Sequence, residues 1–151
     1  MKIKRIILLL LAIILTACSS GAKSDYDANL KKWRDSGIDH YRFNLSISCF
    51  CPFMDVMHLT IEVQGGEVVS MTTVAGTPVT KSDIQYEFFT RYATIDRIFT
   101  ELEAGLNGGA DEVIVTYNPV HGFPQQVSVD MIKQAIDDEI SLAVLDFESL
   151  P

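Results

Sequence analysis

The sequence predicts an α+β domain, an antiparallel β-sheet with two helices packed on one face, preceded by an N-terminal lipoprotein signal peptide. Three observations carry that prediction. Apolar residues recur at every second position over residues 41–48 and 57–63, the period of a strand with one dry and one wet face. They recur at helical spacing in two other stretches, one following Ser24 and one following Thr94. Ahead of both come basic Lys2, Lys4 and Arg5, an apolar run over residues 6–15, and then Leu15, Thr16, Ala17 and Cys18, the order of a lipobox.

The apolar run is about half the ~20 residues needed to cross a bilayer, so residues 1–17 read as a signal peptide and not as a membrane span. Cleavage before Cys18 makes its sulfur the acceptor of diacylglycerol, with a third acyl chain on the new amino group, and several chains hold a protein at a membrane. Ser19, in place of an Asp after the acceptor, points to the periplasmic face of the outer membrane. Residues 18–24 form the lipidated cysteine and a short polar tether, reaching at most ~20 Å if extended. Residues 25–151 are enough for one domain with a single core and too few for two. Loss of Lys2, Lys4 and Arg5 takes the formal charge from −8 to −11, which argues against nucleic acid and against anionic headgroups, leaving the acyl chains as the membrane contact.

The elements follow in order. Ser24 and Asp27 are spaced like a variant capping box, and Tyr26, Leu30 and Trp33 make an apolar stripe that Gly37 can end. Tyr41, Phe43, Leu45 and Ile47 alternate with polar residues as a first strand, and Met57, Leu59, Ile61 and Val63 as a second. Gln64, Gly65, Gly66 and Glu67 supply hairpin turn chemistry leading to a strand over 68–74. Residues 76–85 read as a loop, and the aromatic stretch 86–92 has no clear period. Thr94 caps a second helix whose stripe is Ile95, Ile98, Phe99, Leu102 and Leu106, ended by the glycines of 105–109. Strands over 112–117 and 125–130 flank the turn residues Asn118, Pro119, Gly122 and Pro124. A last strand covers 140–147, although Met131, Ile132, Ala135, Ile136 and Ile140 also fit a helix. Helix-strand-strand-strand thus occurs twice, which hints at a duplicated layout.

These residues resemble a known family, the small bacterial lipoproteins grouped as domain of unknown function 6174. The resemblance covers most of residues 29–147. It rests on Leu30 and Trp33, on Tyr41 and Phe43 leading into Cys49 and Cys51, on Thr94, Ile95, Asp96 and Phe99, and on Tyr117 and Pro119 before Gly122 and Pro124. Asp130, Asp137, Asp138 and Glu139 are similar too. The family pattern more often has Asp at Asn118 and Tyr at His121 and Phe123, and it implies no activity.

With Cys18 lipidated, Cys49 and Cys51 remain in an oxidising compartment, where a disulfide, or two buried thiols, is the expectation. Two same-face residues of a straight strand lie near the ~6.8 Å limit for bridged Cα atoms, so the backbone must bend, as Pro52 suggests. A reactive disulfide and a Cu(I) site using Cys49, Cys51, Met54, Met57 and His58 are the alternatives, giving an envelope redox or copper-handling protein. Strand parity opposes the metal site, because Met57 and His58 point to opposite faces.

Tyr117, Asn118, His121 and Phe123 form a candidate binding loop, stiffened by its prolines and glycine. Asp137, Asp138 and Glu139 lack the spacing of a calcium loop. No nucleophile elbow, phosphate loop or zinc-protease helix is present, so no catalytic residue, cofactor or metal is assigned. The function expected is that of a membrane-anchored binding or structural module with a protein or small-molecule partner of unknown identity. The further alternative is a small hydrolase without a recognisable motif, using Asp96 or Asp130 with His121.

Overall fold

The computed structural model describes residues 17–151. Residues 1–16, most of the expected signal peptide, and the side chain of Cys18 lie outside the described residues. Helix α1 (Ala17–Asp35) leads to strand β1 (His40–Ser48), a 3-10 turn (Met54–Val56), β2 (Leu59–Gln64) and β3 (Glu67–Thr72). A short helix α2 (Tyr86–Thr90) precedes α3 (Ile95–Ala104), which runs into a π turn (Gly105–Gly109). Strands β4 (Glu112–Tyr117), β5 (Pro124–Asp130) and β6 (Glu139–Ser149) complete the chain. One open antiparallel sheet has the order β3-β2-β1-β6-β5-β4, the α+β architecture the two periodicities predict. Among the described residues no helix is long and apolar enough to cross a membrane.

The alternation in β1 buries Tyr41, Phe43, Leu45 and Ile47, and Leu59, Ile61 and Val63 of β2 are buried beside them. Onto this dry face α3 lays Ile95, Ile98, Phe99 and Leu102. Each such side chain removed from water contributes roughly 1.5–3 kcal/mol. Helix α1 adds Tyr26, whose ring meets Phe99 edge-on at 5.7 Å, and Trp33, edge-on to Tyr41 at 5.4 Å. Sheet and helix are also joined by polar contacts. Thr94 caps α3, its hydroxyl accepting the Arg97 N–H at 3.1 Å, while the Ile95 N–H donates to the buried Tyr41 hydroxyl at 3.1 Å. Two of the N–H groups that a helix start leaves unpaired are thereby satisfied.

Several boundaries differ from the sequence reading. Helix α1 already runs from the first described residue, Ala17, so residues 21–24 are helical and Ser24 lies inside the helix instead of capping it. Lys23 explains the extension: its ammonium bonds Glu103 at 2.8 Å and lies 4.3 Å over the Tyr26 ring, giving that turn a tertiary partner. Strand β2 starts at Leu59, because the 3-10 turn carries the chain past Met57 and His58. Strand β3 stops at Thr72, where the Thr73 N–H closes a turn onto Thr77 O at 2.9 Å. The stretch without a period holds α2, whose Phe89 packs on Phe53 at 4.9 Å.

Residues 131–138 form a loop and not the alternative helix. Their apolar side chains do not form a buried stripe, with Ile132 57% and Ile136 86% exposed, and the backbone is held by carboxylates instead. Asp138 accepts the Ile132 N–H at 2.8 Å and Asp111 the Lys133 N–H at 3.1 Å. The order of helix followed by three strands does occur twice, but the two halves are not related by a two-fold axis. Equivalent strands β1 and β4 run in opposite directions in this sheet, and a two-fold axis through its centre would exchange β1 with β6, not with β4.

Candidate functional site

Strands β5 and β6 pair only from Gln126 opposite Ala143 to Asp130 opposite Glu139. Past Ala143, β6 continues to Ser149 beside β1 alone, so the two strands part at the lower end of the sheet, where β1 and β5 begin. The connection over 118–123 enters this gap. A cavity of about 230 Å³ lies there, with Asn118, His121, Phe123, Gln125, Asp146 and Phe147 in its lining.

The sequence folds this connection tightly. Asn118 Oδ1 accepts from the N–H groups of Val120 at 3.0 Å and His121 at 2.9 Å, a short polar side chain standing in for backbone. Asn118 N–H donates to Phe123 O at 2.8 Å, and Gly122 N–H donates to Asn118 O at 2.9 Å. Gly122 has φ +81° and lies so close to α1 that a Cβ would stand 2.7 Å from Asn29 O. Lys32 of α1 donates to Pro119 O from the same side. Phe123 is buried, 4.6 Å from Phe147 and 6.1 Å from Trp33 between ring centroids, and the His121 ring lies 5.6 Å from that of Phe147.

Opposite the loop stands Asp146, at the irregular register between β1 and β6, with φ +49°. Its Oδ2 accepts from Asn44 Nδ2 at 2.8 Å, and Asn44 Oδ1 accepts from Thr60 Oγ1 at 2.8 Å. A hydrogen-bonded line across β2, β1 and β6 therefore fixes one carboxylate beside aromatic rings and an imidazole. Such a set attracts a positively charged or proton-donating group, through charge-assisted hydrogen bonds and the electron-rich ring faces.

Of the candidate loop residues, Asn118, His121 and Phe123 meet at this cavity and Tyr117 does not. Tyr117 turns toward the helices and stacks on Phe99 at 6.4 Å; burial pushes its phenol up to about 12, and its hydroxyl has no partner among the described residues. Sequence reasoning missed Gln125, Asp146 and Phe147. The available signal was Asp146, an acid set among apolar residues of the last strand.

Cys49 and Cys51 are joined as a disulfide with Cα atoms 5.2 Å apart, within the bridging range, and the chain bends there as required. The bond lies at the upper end of the sheet, where β1 ends, so it and the 118–123 loop occupy opposite ends and share no pocket. Sulfurs joined to each other are not thiolates, which removes the strongest donors from the soft-metal set with Met54, Met57 and His58. Among the described residues no three His, Cys, Asp or Glu side chains gather as a metal site, those of 137–139 included. The length of β5 separates Asp130 from His121. A hollow of about 280 Å³ on the uncovered sheet face, lined by Ser46, Ser48, Thr116, Gln126, Ser128 and Ser141 among others, has no charged side chain in its lining.

Neither the comparison with curated proteins nor that with solved structures finds a match. A family model described as a family of unknown function (DUF6174) matches residues 25–149, all but the edges of the folded unit, and the chain belongs to that family.

Proposed function

We propose that the protein is an envelope lipoprotein, held at the membrane by acyl chains on Cys18, whose domain binds an ammonium-bearing ligand where β5 and β6 part. The observation that carries the ligand reading is the Asp146 carboxylate, held by Asn44 at the rim of a cavity walled by Phe123, Phe147 and His121. The lipobox carries the anchor, and the net negative charge of the chain favours a cationic ligand over an anionic one.

The two parts are tested separately. Cys18→Ala abolishes fatty-acid labelling if the anchor is correct; undiminished labelling refutes it. For the ligand, the full-length protein in detergent micelles is titrated with butylammonium and, in parallel, butyrate, following backbone amide resonances. Butylammonium shifts those of the non-proline residues of 118–125 and of 144–147, butyrate does not, and Asp146→Asn removes the response. Equal responses to both probes, or none at these residues, sink the binding assignment.

A further inference from the structure

The cysteine pair at the other end of the sheet carries an inference independent of that pocket and of the anchor. We infer that the Cys49–Cys51 disulfide is a thiol–disulfide exchange site, accepting two electrons from a pair of cysteines on another protein.

A structural disulfide stabilises by closing a loop in the unfolded chain, and this gain grows with the logarithm of loop length. Here a single residue, Phe50, is enclosed, so the bond adds almost nothing to the stability of the domain. The fold does not need it locally either. Upstream, Ile47 is buried and Ser48 is paired with Ser141; downstream, Phe53 is buried between Phe88 at 5.0 Å and Phe89 at 4.9 Å. Between these anchors the Cys51 N–H donates to Cys49 O at 2.8 Å, closing the turn by backbone alone. Opening the sulfur bridge thus leaves two thiols on a turn that still holds them within bonding reach.

The pair is also accessible. Both cysteines are partly exposed, and Phe50 stands 83% exposed at the tip between them. A bond that is exposed and unsupported by loop closure is reduced more readily than a buried staple. The Phe50 ring offers apolar area to a protein chain approaching either sulfur, which a small thiol would not use.

The exchange balances without another reactant. A thiolate of the partner attacks one sulfur of the pair; the S–S bond breaks, and the released sulfur takes a proton. The partner's second thiol then attacks the mixed disulfide and frees the remaining cysteine. The partner ends as a disulfide, and Cys49 and Cys51 end as thiols carrying its two electrons and two protons.

The test uses the full-length protein in micelles, mixed with a reduced synthetic peptide containing two cysteines. Thiols are counted by alkylation and mass spectrometry on the fragment holding Cys49 and Cys51, which keeps Cys18 out of the count. The expected result is one peptide disulfide formed for each pair of thiols gained, with the fluorescence of the buried Trp33 unchanged. The rate should exceed by about tenfold or more that of a control protein whose disulfides close long loops. Phe50→Ser should slow exchange with the peptide but not reduction by dithiothreitol. A bridge that opens only when the Trp33 fluorescence becomes that of the unfolded chain overturns the exchange site, and an unchanged peptide rate in Phe50→Ser overturns the protein partner.

Discussion

Alanine at position 122 would enter a place where the chain has neither the conformational nor the spatial allowance for it. Gly122 has φ +81°, and a Cβ there would stand 2.7 Å from Asn29 O and 2.9 Å from Lys32 Cβ. Gly66, in the β2–β3 hairpin, has nearly the same φ of +80° but nothing within 4 Å of its Cβ position. Gly66→Ala therefore reads the backbone penalty alone, about 1–2 kcal/mol for an L-residue in the left-handed region. Gly122→Ala adds a collision with the backbone of a helix, which cannot yield without losing its own hydrogen bonds, so the loop must move. That shift disturbs Phe123 against Trp33 and Phe147, an overpacking error typically costing ~1–3 kcal/mol. The difference between the two variants should be about 2 kcal/mol in urea unfolding, or roughly 6–10 °C in Tm for a domain of this size. Equal losses in the two variants would show that the 118–123 connection is not seated on α1, and the rigid cavity wall argued above would fall with it.

Tyr41→Phe strands the Ile95 N–H that its hydroxyl accepts and should cost ~1–3 kcal/mol; a loss under ~0.5 kcal/mol by urea titration contradicts that bond. Thr94→Ala removes the cap of α3 at a cost of about 1 kcal/mol, and Thr94→Ser should restore most of it, since the hydroxyl is what accepts from Arg97. His40 has its pKa raised, first by the Pro151 backbone oxygen and then by Glu62. A group raised on folding adds stability that is complete below its unfolded value of about 6.5 and is lost as pH rises through the folded value. The urea midpoint of the native protein should accordingly exceed that of His40→Gln by more at about pH 6 than at about pH 8, and a gap that widens with pH would reverse the assignment.

Local periodicity was a sufficient guide wherever a side chain's fate depends on its own strand or helix. The dry row of β1 and the stripe of α3 were legible for that reason, as was the Thr94 cap, whose partner is three residues away. What could not be read depends on distant partners. Within α1, Lys23 is tied to Glu103, and over 131–138 the backbone is held by the carboxylates of Asp138 and Asp111 in place of a helical ladder. The cavity belongs to the same class. Asn118, His121 and Phe123 were visible as a stiff loop, but the loop alone has no charge to bind with. Its carboxylate comes from Asp146, and a strand pattern does not reveal that β6 outruns its pairing with β5 and twists through a left-handed residue against β1. Asp146 stands among apolar neighbours in the sequence and in line with Asn44 and Thr60 only in the folded sheet. The candidate site thus takes its carboxylate from the seam between the first and last strands, the strand pairing with the widest sequence separation among the described residues.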